Sequence, residues 1–285
     1  MFPKKHIFIS QTVSMKIILF ISCLFISTII HAQQDSMAAA FPTDSGYFSS
    51  FDGTNIYYEV RGKGKPVLLV HGFIVNSNSW KNTALYKELL KAGYKVIILD
   101  MRGNGKSGKP HIPKAYENDA EAKDIMLLMD RLKIDSYTAV GYSRGSIITA
   151  RLLVLDPRVN KAVLGGMGTD FTNPDWPRRI MFYHAMMGDS IPELQGAVNY
   201  VKQQGFDQLA LAYLQKAQPS TSKEVLGKVQ QPVLIICGDK DTDNGNAGEL
   251  AKLFQHSEFV TVPGVHNNAA ATINFSDAVI GFLEK

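Results

Sequence analysis

The sequence predicts an α/β protein with a mostly parallel, twisted sheet of about eight strands, helices on both faces and a helical lid. Short apolar runs alternate with amphipathic helical segments through most of the 285 residues, a rhythm typical of parallel strands joined by crossover helices. The rhythm stops at about residues 169–230, which hold four prolines and no strand-like run. An all-helical insertion this long exceeds what a crossover needs, and it predicts a lid over the C-terminal edge of the sheet.

The predicted elements begin with a hairpin. Asp52-Gly53 separates the strand-like segments 47–51 and 56–60, and this dipeptide favours a tight turn. In the insertion, helical pieces are predicted at 178–187, 194–203 and 208–216. Outside it, further strands are predicted at 66–70, 95–99, 136–141, 161–166, 232–237 and 258–262, and helices at 80–92, 118–132 and 144–155.

The first 32 residues are typical of an export signal. A basic start at Lys16 precedes an apolar stretch at 17–30 and a small residue at Ala32, which is the order found in a cleaved signal peptide. A start at Met15 fits the same pattern. We therefore expect an exported protein, periplasmic or secreted, with a flexible lead-in at residues 33–45 and no stable membrane insertion after cleavage. An uncleaved segment would instead anchor the protein in the membrane.

Charge and cysteine content narrow the class of protein. The chain carries 30 Lys and Arg against 26 Asp and Glu, a net charge of +4. Lys4, Lys5 and Lys16 belong to the predicted signal, so 27 basic and 26 acidic residues remain, a net charge of +1. This balance, with no basic stripe, argues against a nucleic-acid partner. Cys237 is then the only cysteine of the mature chain, so we expect a buried structural thiol and no intramolecular disulfide.

Gly141-Tyr142-Ser143-Arg144-Gly145 is the most informative motif. It lies between a predicted strand and a predicted helix, where G-x-S-x-G forms a nucleophile elbow. The serine is raised on a sharp turn, and the two glycines remove Cβ atoms that would clash there. The motif predicts Ser143 as a nucleophile at the N-terminus of a helix, where a developing negative charge is favoured.

A serine nucleophile needs a histidine base, and the histidine needs a carboxylate. Two later strands run into candidates: the strand at 232–237 leads to Asp241, and the strand at 258–262 leads to His266. We predict Ser143, Asp241 and His266 as the catalytic residues, with Asp170 as the alternative acid. Four other histidines are expected to be structural or exposed: His71, His111, His184 and His256.

These motifs together resemble the α/β-hydrolase superfamily, in its lidded single-domain branch. His71-Gly72-Phe73 resembles the oxyanion loop of that family, and residues 100–107 resemble its D-x-R-G-x-G-x-S turn. Residues 238–241 and 263–266 resemble its acid and histidine turns. The resemblance covers about residues 46–285, with the lid at about 169–230, and it implies the α/β-hydrolase fold.

The resemblance also implies an oxyanion hole built from the backbone amides of Phe73 and Arg144. The chain departs from the family pattern at two positions, since Arg144 replaces an uncharged residue and Ser146 replaces a second glycine. For the Arg144 side chain, attraction of an anionic substrate and a salt bridge to the lid both remain open.

Trp176, Phe182 and Tyr183 are candidate lining residues of a substrate pocket, although packing of the core or lid would equally account for them. We predict no cofactor. The segment 103–108 fits a dinucleotide fingerprint, but Pro110 and Pro113 prevent the helix that such a site requires. The histidines lack the spacing of metal ligands, so we also predict no metal.

The sequence therefore predicts a serine hydrolase that cleaves a small carboxylic ester through an acyl-enzyme. Lactone, amide or carbon–carbon bond hydrolysis and perhydrolysis remain open, as does a non-catalytic ligand-binding protein with the same fold. Haloalkane dehalogenase and epoxide hydrolase chemistry is disfavoured, because those family members use an aspartate where this chain has Ser143. The expected partner is a small-molecule substrate, and the sequence leaves the oligomeric state open.

Overall fold

The computed structural model describes residues 43–285. The predicted export signal at 1–32 and most of the predicted lead-in at 33–45 lie outside the described residues. The first strand already begins at Thr43, so the last residues of the predicted lead-in belong to the sheet. Within the described part of the chain, no helix is long and apolar enough to cross a membrane.

An 8-stranded sheet forms the centre of the domain, as predicted. Its spatial order is β1-β2-β4-β3-β5-β6-β7-β8. β2 pairs with β4 antiparallel, whereas the pairs from β4 through β3, β5, β6 and β7 to β8 are all parallel. The strands are β1 Thr43–Ser49, β2 Asn55–Arg61, β3 Pro66–Val70, β4 Lys95–Leu99, β5 Tyr137–Tyr142, β6 Val159–Gly165, β7 Val233–Gly238 and β8 Ser257–Val262.

Helices follow most strands and cover the sheet. The central strands are buried along almost their whole length, as expected for parallel strands with helices on both faces. The helices are α1 Asn78–Lys81, α2 Ala84–Lys91, α3 Ala120–Arg131, α4 Arg144–Leu155, α5 Pro177–Met187, α6 Gln195–Gln203, α7 Gln208–Lys216, α8 Lys223–Leu226, α9 Ala247–Ala251 and α10 Ile273–Glu284.

The predicted helix at 80–92 is in fact two helices, α1 and α2. Thr83 lies between them in an extended conformation, and its side chain accepts a hydrogen bond from the amide of Tyr86. Thr83 therefore acts as the N-cap of a new helix instead of continuing the old one. The helices predicted at 144–155 and 208–216 have the predicted bounds, and the other predicted helices shift at their ends by one or two residues.

Helices α5, α6 and α7 lie between β6 and β7 in the chain and share a small core distinct from the main one, to which Tyr116 from outside the insertion also belongs. That core includes Met186, Val201 and Leu211. Both ends of the insertion pack differently, since Phe171 and Leu226 belong to the main core around the sheet. We use the word lid below for residues 177–216, which include these three helices, and the covering role of the lid predicted at about 169–230 stays a prediction.

Candidate active site

Ser143 occupies a strained turn between β5 and α4. Its backbone has φ 54° and ψ −123°, a left-handed φ that a residue with a side chain adopts only under constraint. The Ser143 amide donates to the carbonyl of Gly165 (2.8 Å), and the hydroxyl of Ser146 donates to the same oxygen (2.7 Å). Ser146, a departure from the family pattern, thus helps to fix the turn against β6.

The two glycines of the motif are required by close backbone contacts. A Cβ at Gly145 would lie closer than 3.0 Å to the carbonyl oxygens of Val70 and His71. A Cβ at Gly141 would come equally close to the carbonyl of Gly145. The first turn of α4 therefore packs directly on the end of β3, which is why the serine emerges at this edge of the sheet.

The structure brings Ser143, His266 and Asp241 into one hydrogen-bonded chain. Nε2 of His266 lies 2.9 Å from the Ser143 hydroxyl, and Nδ1 lies 2.8 Å from Oδ2 of Asp241. Because an ionised carboxylate only accepts hydrogen bonds, Nδ1 carries the proton and Nε2 is free to accept one from Ser143. The side chains are sheltered, with 14% of His266 and 2% of Asp241 exposed.

The environment keeps Asp241 ionised. Burial by itself would raise the pKa of Asp241, but the hydrogen bond and charge of His266 and the backbone amide of Asp243 lower that pKa below its ordinary value. An ionised carboxylate at this position both orients the imidazole and stabilises it once it is protonated.

The alternative acid lies elsewhere. The Asp170 carboxylate is placed against Gly245, where an added Cβ would lie closer than 3.0 Å to it, while Nδ1 of His266 contacts Asp241. Of the other histidines, His111 and His184 are exposed and pair with lid carboxylates, and His256 is exposed as well.

His71 is buried and structural. Its Nδ1 contacts the carbonyl of Gly72 (2.8 Å), and its Nε2 accepts from the amide of Met101 (3.0 Å). Accepting that bond requires a neutral ring, and burial lowers the pKa of His71 and keeps the ring neutral.

The loop after β3 runs beside the nucleophile. A Cβ on Gly72 would lie 3.6 Å from the Cβ of Ser143, so the loop that continues into Phe73 passes close to Ser143. Arg144 is the first residue of α4, so its amide has no acceptor within the helix. The oxyanion hole formed by the amides of Phe73 and Arg144 stays a prediction.

Residues that sequence analysis missed hold this loop in place. The side-chain amide of Asn104 donates to the carbonyls of Phe73 (2.9 Å) and Val75 (3.0 Å). Oδ1 of Asp100 accepts from the amide of Ser77 (2.9 Å). Asp100 and Asn104 both belong to the D-x-R-G-x-G-x-S motif, which is the sequence feature that could have identified them. In the structure these two residues of the motif support the loop.

The Arg144 side chain forms a buried ion pair with Glu121 of α3. Both guanidinium nitrogens Nη1 and Nη2 lie 2.5 Å from a Glu121 oxygen, and only 3% of Arg144 and 5% of Glu121 is exposed. Nη2 also donates to the Leu214 carbonyl of the lid (3.1 Å). The expected salt bridge to the lid is thus corrected: the carboxylate belongs to the main domain, and the lid contributes a backbone oxygen. A guanidinium paired in this way is not available to an anionic substrate.

The three pocket candidates differ in their surroundings. The ring of Phe182 meets the ring of Phe73 edge-on, with centroids 5.5 Å apart, so Phe182 lies beside the predicted oxyanion loop. Tyr183 instead packs against His184 and carries Lys216 over its ring. Trp176 is buried in the main core. Phe182 is therefore the lid residue whose contacts best fit a pocket wall.

Two further features bear on the chemistry of the site. Within the described residues, Asp241, Asp243 and His266 form a group whose ligand atoms lie within 4.8 Å of one another and could hold a metal ion. His266 and Asp241 bond directly to each other, and Asp243 lies near Arg178 (3.4 Å), contacts that favour acid–base chemistry.

Cys237 is buried and free, and burial together with the nearby Asp241 raises the pKa of its thiol to about 12.

Comparison with known proteins agrees with this architecture. The family model of the alpha/beta hydrolase fold matches residues 65–200. A non-heme chloroperoxidase of Streptomyces lividans is 35% identical over 139 residues, 46% of this chain and 49% of that protein. An epoxide hydrolase of Caballeronia sordidicola is 32% identical over 119 residues, 42% of this chain and 36% of that protein. The matches thus span less than half the length of these relatives.

Among solved structures, a bromoperoxidase from Bacillus anthracis superposes with a TM-score of 0.68 at 26% identity, covering 85% of this chain and 100% of that one. A mostly parallel sheet that carries a serine on a sharp strand-to-helix turn at its carboxyl edge is the architecture of the α/β hydrolases. With the matching family model and structural neighbours, the chain belongs to the α/β-hydrolase superfamily.

Proposed function

We propose that the protein is a serine hydrolase that cleaves a small carboxylic ester through an acyl-enzyme on Ser143. The observation that carries this proposal is the continuous chain of contacts from the Ser143 hydroxyl through His266 to Asp241, at 2.9 and 2.8 Å. These distances lie within hydrogen-bond reach, which a nucleophile and its base need for proton transfer.

In the first step, Nε2 of His266 takes the proton of Ser143 as the oxygen attacks the ester carbonyl. The negative charge that develops on the carbonyl oxygen is stabilised by the amides of Phe73 and Arg144. Asp241 stabilises the imidazolium, which then gives its proton to the leaving alcohol. Water attacks the acyl-enzyme in the second step, with His266 again as the base, and Ser143 regains its proton.

The neighbouring side chains favour an uncharged substrate. The ring of Phe73, in the loop that passes Ser143, packs edge-on against Phe182, and the Arg144 cation is neutralised by Glu121. We therefore expect uncharged acyl groups to be preferred over dicarboxylic half-esters. A panel of nitrophenyl esters of increasing chain length should be ranked differently by Phe182→Ala, whereas Tyr183→Ala should leave the ranking closer to that of the wild type.

Labelling of the serine tests the proposal directly. A fluorophosphonate should add once to the protein, and digestion followed by mass spectrometry should place the adduct on Ser143. Ser143→Ala should abolish both labelling and ester hydrolysis. Labelling that persists in Ser143→Ala would refute the assignment. A protein that neither labels nor turns over esters, lactones, amides or β-diketones, yet binds such molecules, would establish the non-catalytic alternative.

The names of two similar proteins favour a second candidate, perhydrolysis. Relatives named a chloroperoxidase and a bromoperoxidase match this chain. With hydrogen peroxide in place of water, attack on the acyl-enzyme would release a peroxyacid through the same residues. Assay of peroxyacid formation from acetate and hydrogen peroxide separates the two activities. The relative named an epoxide hydrolase has less bearing on this chain, whose elbow carries a serine.

We propose that the protein acts after export, on the basis of the signal-like residues 1–32. N-terminal sequencing of protein isolated from its native host should begin near Gln33. Recovery of the full-length chain in the membrane fraction would instead support an anchored protein.

A further inference from the structure

Tyr142, the residue before the nucleophile, contacts the loop that carries the histidine. Its hydroxyl donates a hydrogen bond to the backbone carbonyl of His266, with 2.7 Å between the oxygens. The two residues are 124 positions apart in the chain, so the contact ties the end of β5 to the loop after β8. Burial and the nearby Asp241 raise the pKa of Tyr142, so the hydroxyl stays protonated and remains a donor.

The ring of Tyr142 packs closely against two other rings and two glycines. It lies between the imidazole of His266, with centroids 5.5 Å apart, and the ring of Phe275, with centroids 5.8 Å apart. Gly165 and Gly166 form the adjoining wall. A Cβ on either glycine would lie 2.7 Å from an atom of the Tyr142 ring, so the absence of side chains there allows the ring to fit.

The loop carrying His266 is otherwise held mainly through its neighbours. The amide of Val265 donates to Oδ1 of Asn268 (2.9 Å), and the amide of Gly264 donates to Oδ1 of Asp239 (2.8 Å). Val265 and Asn268 are both exposed. Within the described residues, the partly buried bond from Tyr142 is the hydrogen bond made to the backbone of His266 itself, and it acts where the imidazole must be placed.

We propose that Tyr142 is a positioning residue for the general base. Its hydroxyl fixes the backbone of His266, and its ring supports the imidazolium that forms during catalysis. A cation within about 6 Å of an aromatic centroid is attracted by the ring, and the imidazole lies within that distance. This inference rests on the proposed function, because it assigns His266 the role of base.

Two conservative variants test the hydroxyl. Tyr142→Phe removes the bond to His266. Tyr137→Phe removes a buried hydroxyl from the other end of the same strand, where it donates to Asp156 (2.9 Å). Each variant loses one sheltered hydrogen bond of a tyrosine hydroxyl, partly buried at Tyr142 and buried at Tyr137, so both should lower stability by a similar amount. Only Tyr142→Phe should lower kcat, by about fivefold to tenfold, the range of one hydrogen bond, with KM nearly unchanged.

A measurement on the imidazole separates positioning from general loosening. The proton NMR signal of His266 Nδ1–H should shift and exchange faster with water in Tyr142→Phe and keep its wild-type position in Tyr137→Phe. Tyr142→Leu, which also removes the ring, should lower kcat further than Tyr142→Phe does, because the imidazolium loses its aromatic neighbour.

The outcomes distinguish this inference from the proposed function. Tyr142→Phe with the kcat and imidazole signal of Tyr137→Phe would overturn the positioning role while leaving the serine hydrolase intact. A wild-type protein that is not labelled at Ser143 would overturn the proposed function, and the imidazole signal would still report whether Tyr142 holds His266.

Discussion

The ion pair between Glu121 and Arg144 offers a sharp test of how burial changes the value of a salt bridge. Glu121→Gln keeps the size of the side chain and removes its charge. The Arg144 cation, 3% exposed, would then lie in the core with an amide and the Leu214 carbonyl as its neighbours. No second carboxylate of the described residues bonds to this guanidinium.

The expected loss follows from the burial of the pair. Removing one partner of a buried ion pair costs about 3–5 kcal/mol, because the remaining charge lacks both water and a counter-charge. Since glutamine can still accept a hydrogen bond, we expect the lower end, about 3 kcal/mol. For a domain of this size, 1 kcal/mol shifts Tm by roughly 2–4 °C, so Tm should fall by about 6–12 °C.

The chain supplies a matched control. Glu258 and Lys285 also approach to 2.5 Å, but 43% and 62% of these side chains are exposed. Glu258→Gln should cost less than about 1 kcal/mol, because water screens the pair. Urea denaturation of both variants gives the comparison. Equal, small losses for the two substitutions would refute the reasoning that burial sets the difference.

A double substitution completes the test. Glu121→Met with Arg144→Met removes both charges and replaces them with apolar side chains that fit a buried site. Such replacements are often neutral or stabilising, so the double variant should be more stable than Glu121→Gln. A double variant that is less stable than Glu121→Gln would mean that the pair itself stabilises the fold, beyond avoiding an unpaired charge.

Three further predictions follow from the contacts around the nucleophile. Gly145→Ala should abolish activity and lower stability, because its Cβ would clash with the backbone at the end of β3. The control Gly281→Ala has open space around its Cβ in α10 and should stabilise the protein by about 0.5–1 kcal/mol. Thermal denaturation compares the two variants. Asn104→Ala should lower kcat by about tenfold or more, since the predicted oxyanion loop loses both of the bonds that Asn104 makes to it, and unchanged kcat would contradict this. Cys237 should resist Ellman's reagent at neutral pH until the protein is unfolded, because its thiol has a pKa of about 12.

The sheet and the elbow could be predicted because their signals are local. An apolar run of four to six residues between turn-forming residues indicates a buried strand wherever it occurs. The spacing of the G-x-S-x-G motif around Ser143 is local as well, and the steric requirement at Gly141 comes from Gly145, four residues further on. The helix boundary at Thr83 was missed because a threonine inside an amphipathic pattern is ambiguous until its side chain is seen to accept from the Tyr86 amide.

The contacts that support the site could not be predicted, because they join distant parts of the chain. Glu121 meets Arg144 across 23 residues, Asn104 meets Phe73 across 31, and Tyr142 meets His266 across 124. Each pair depends on how strands are ordered in the sheet, and a single sequence gives no measure of that order. Arg144 could be recognised as unusual, but the identity of its carboxylate partner required the position of α3.

The placement of Arg144 has a consequence for the lid. Its guanidinium holds the Leu214 carbonyl near the C-terminus of α7, and Arg179 bonds the carbonyls of Gln215 and Lys216 beside it. Within the described part of the chain, the middle of the lid, α6, has no comparable hydrogen bond from an arginine, and most of its residues are exposed. A lid that opens should therefore move α6 farther than the end of α7.

In hydrogen–deuterium exchange, amides of α6 should exchange faster than those at the end of α7, and both should exchange faster than those of β5. Arg144→Met combined with Glu121→Met should raise exchange at the end of α7 without changing β5. Unchanged exchange at the end of α7 in that double variant would mean that the lid is held there by packing alone.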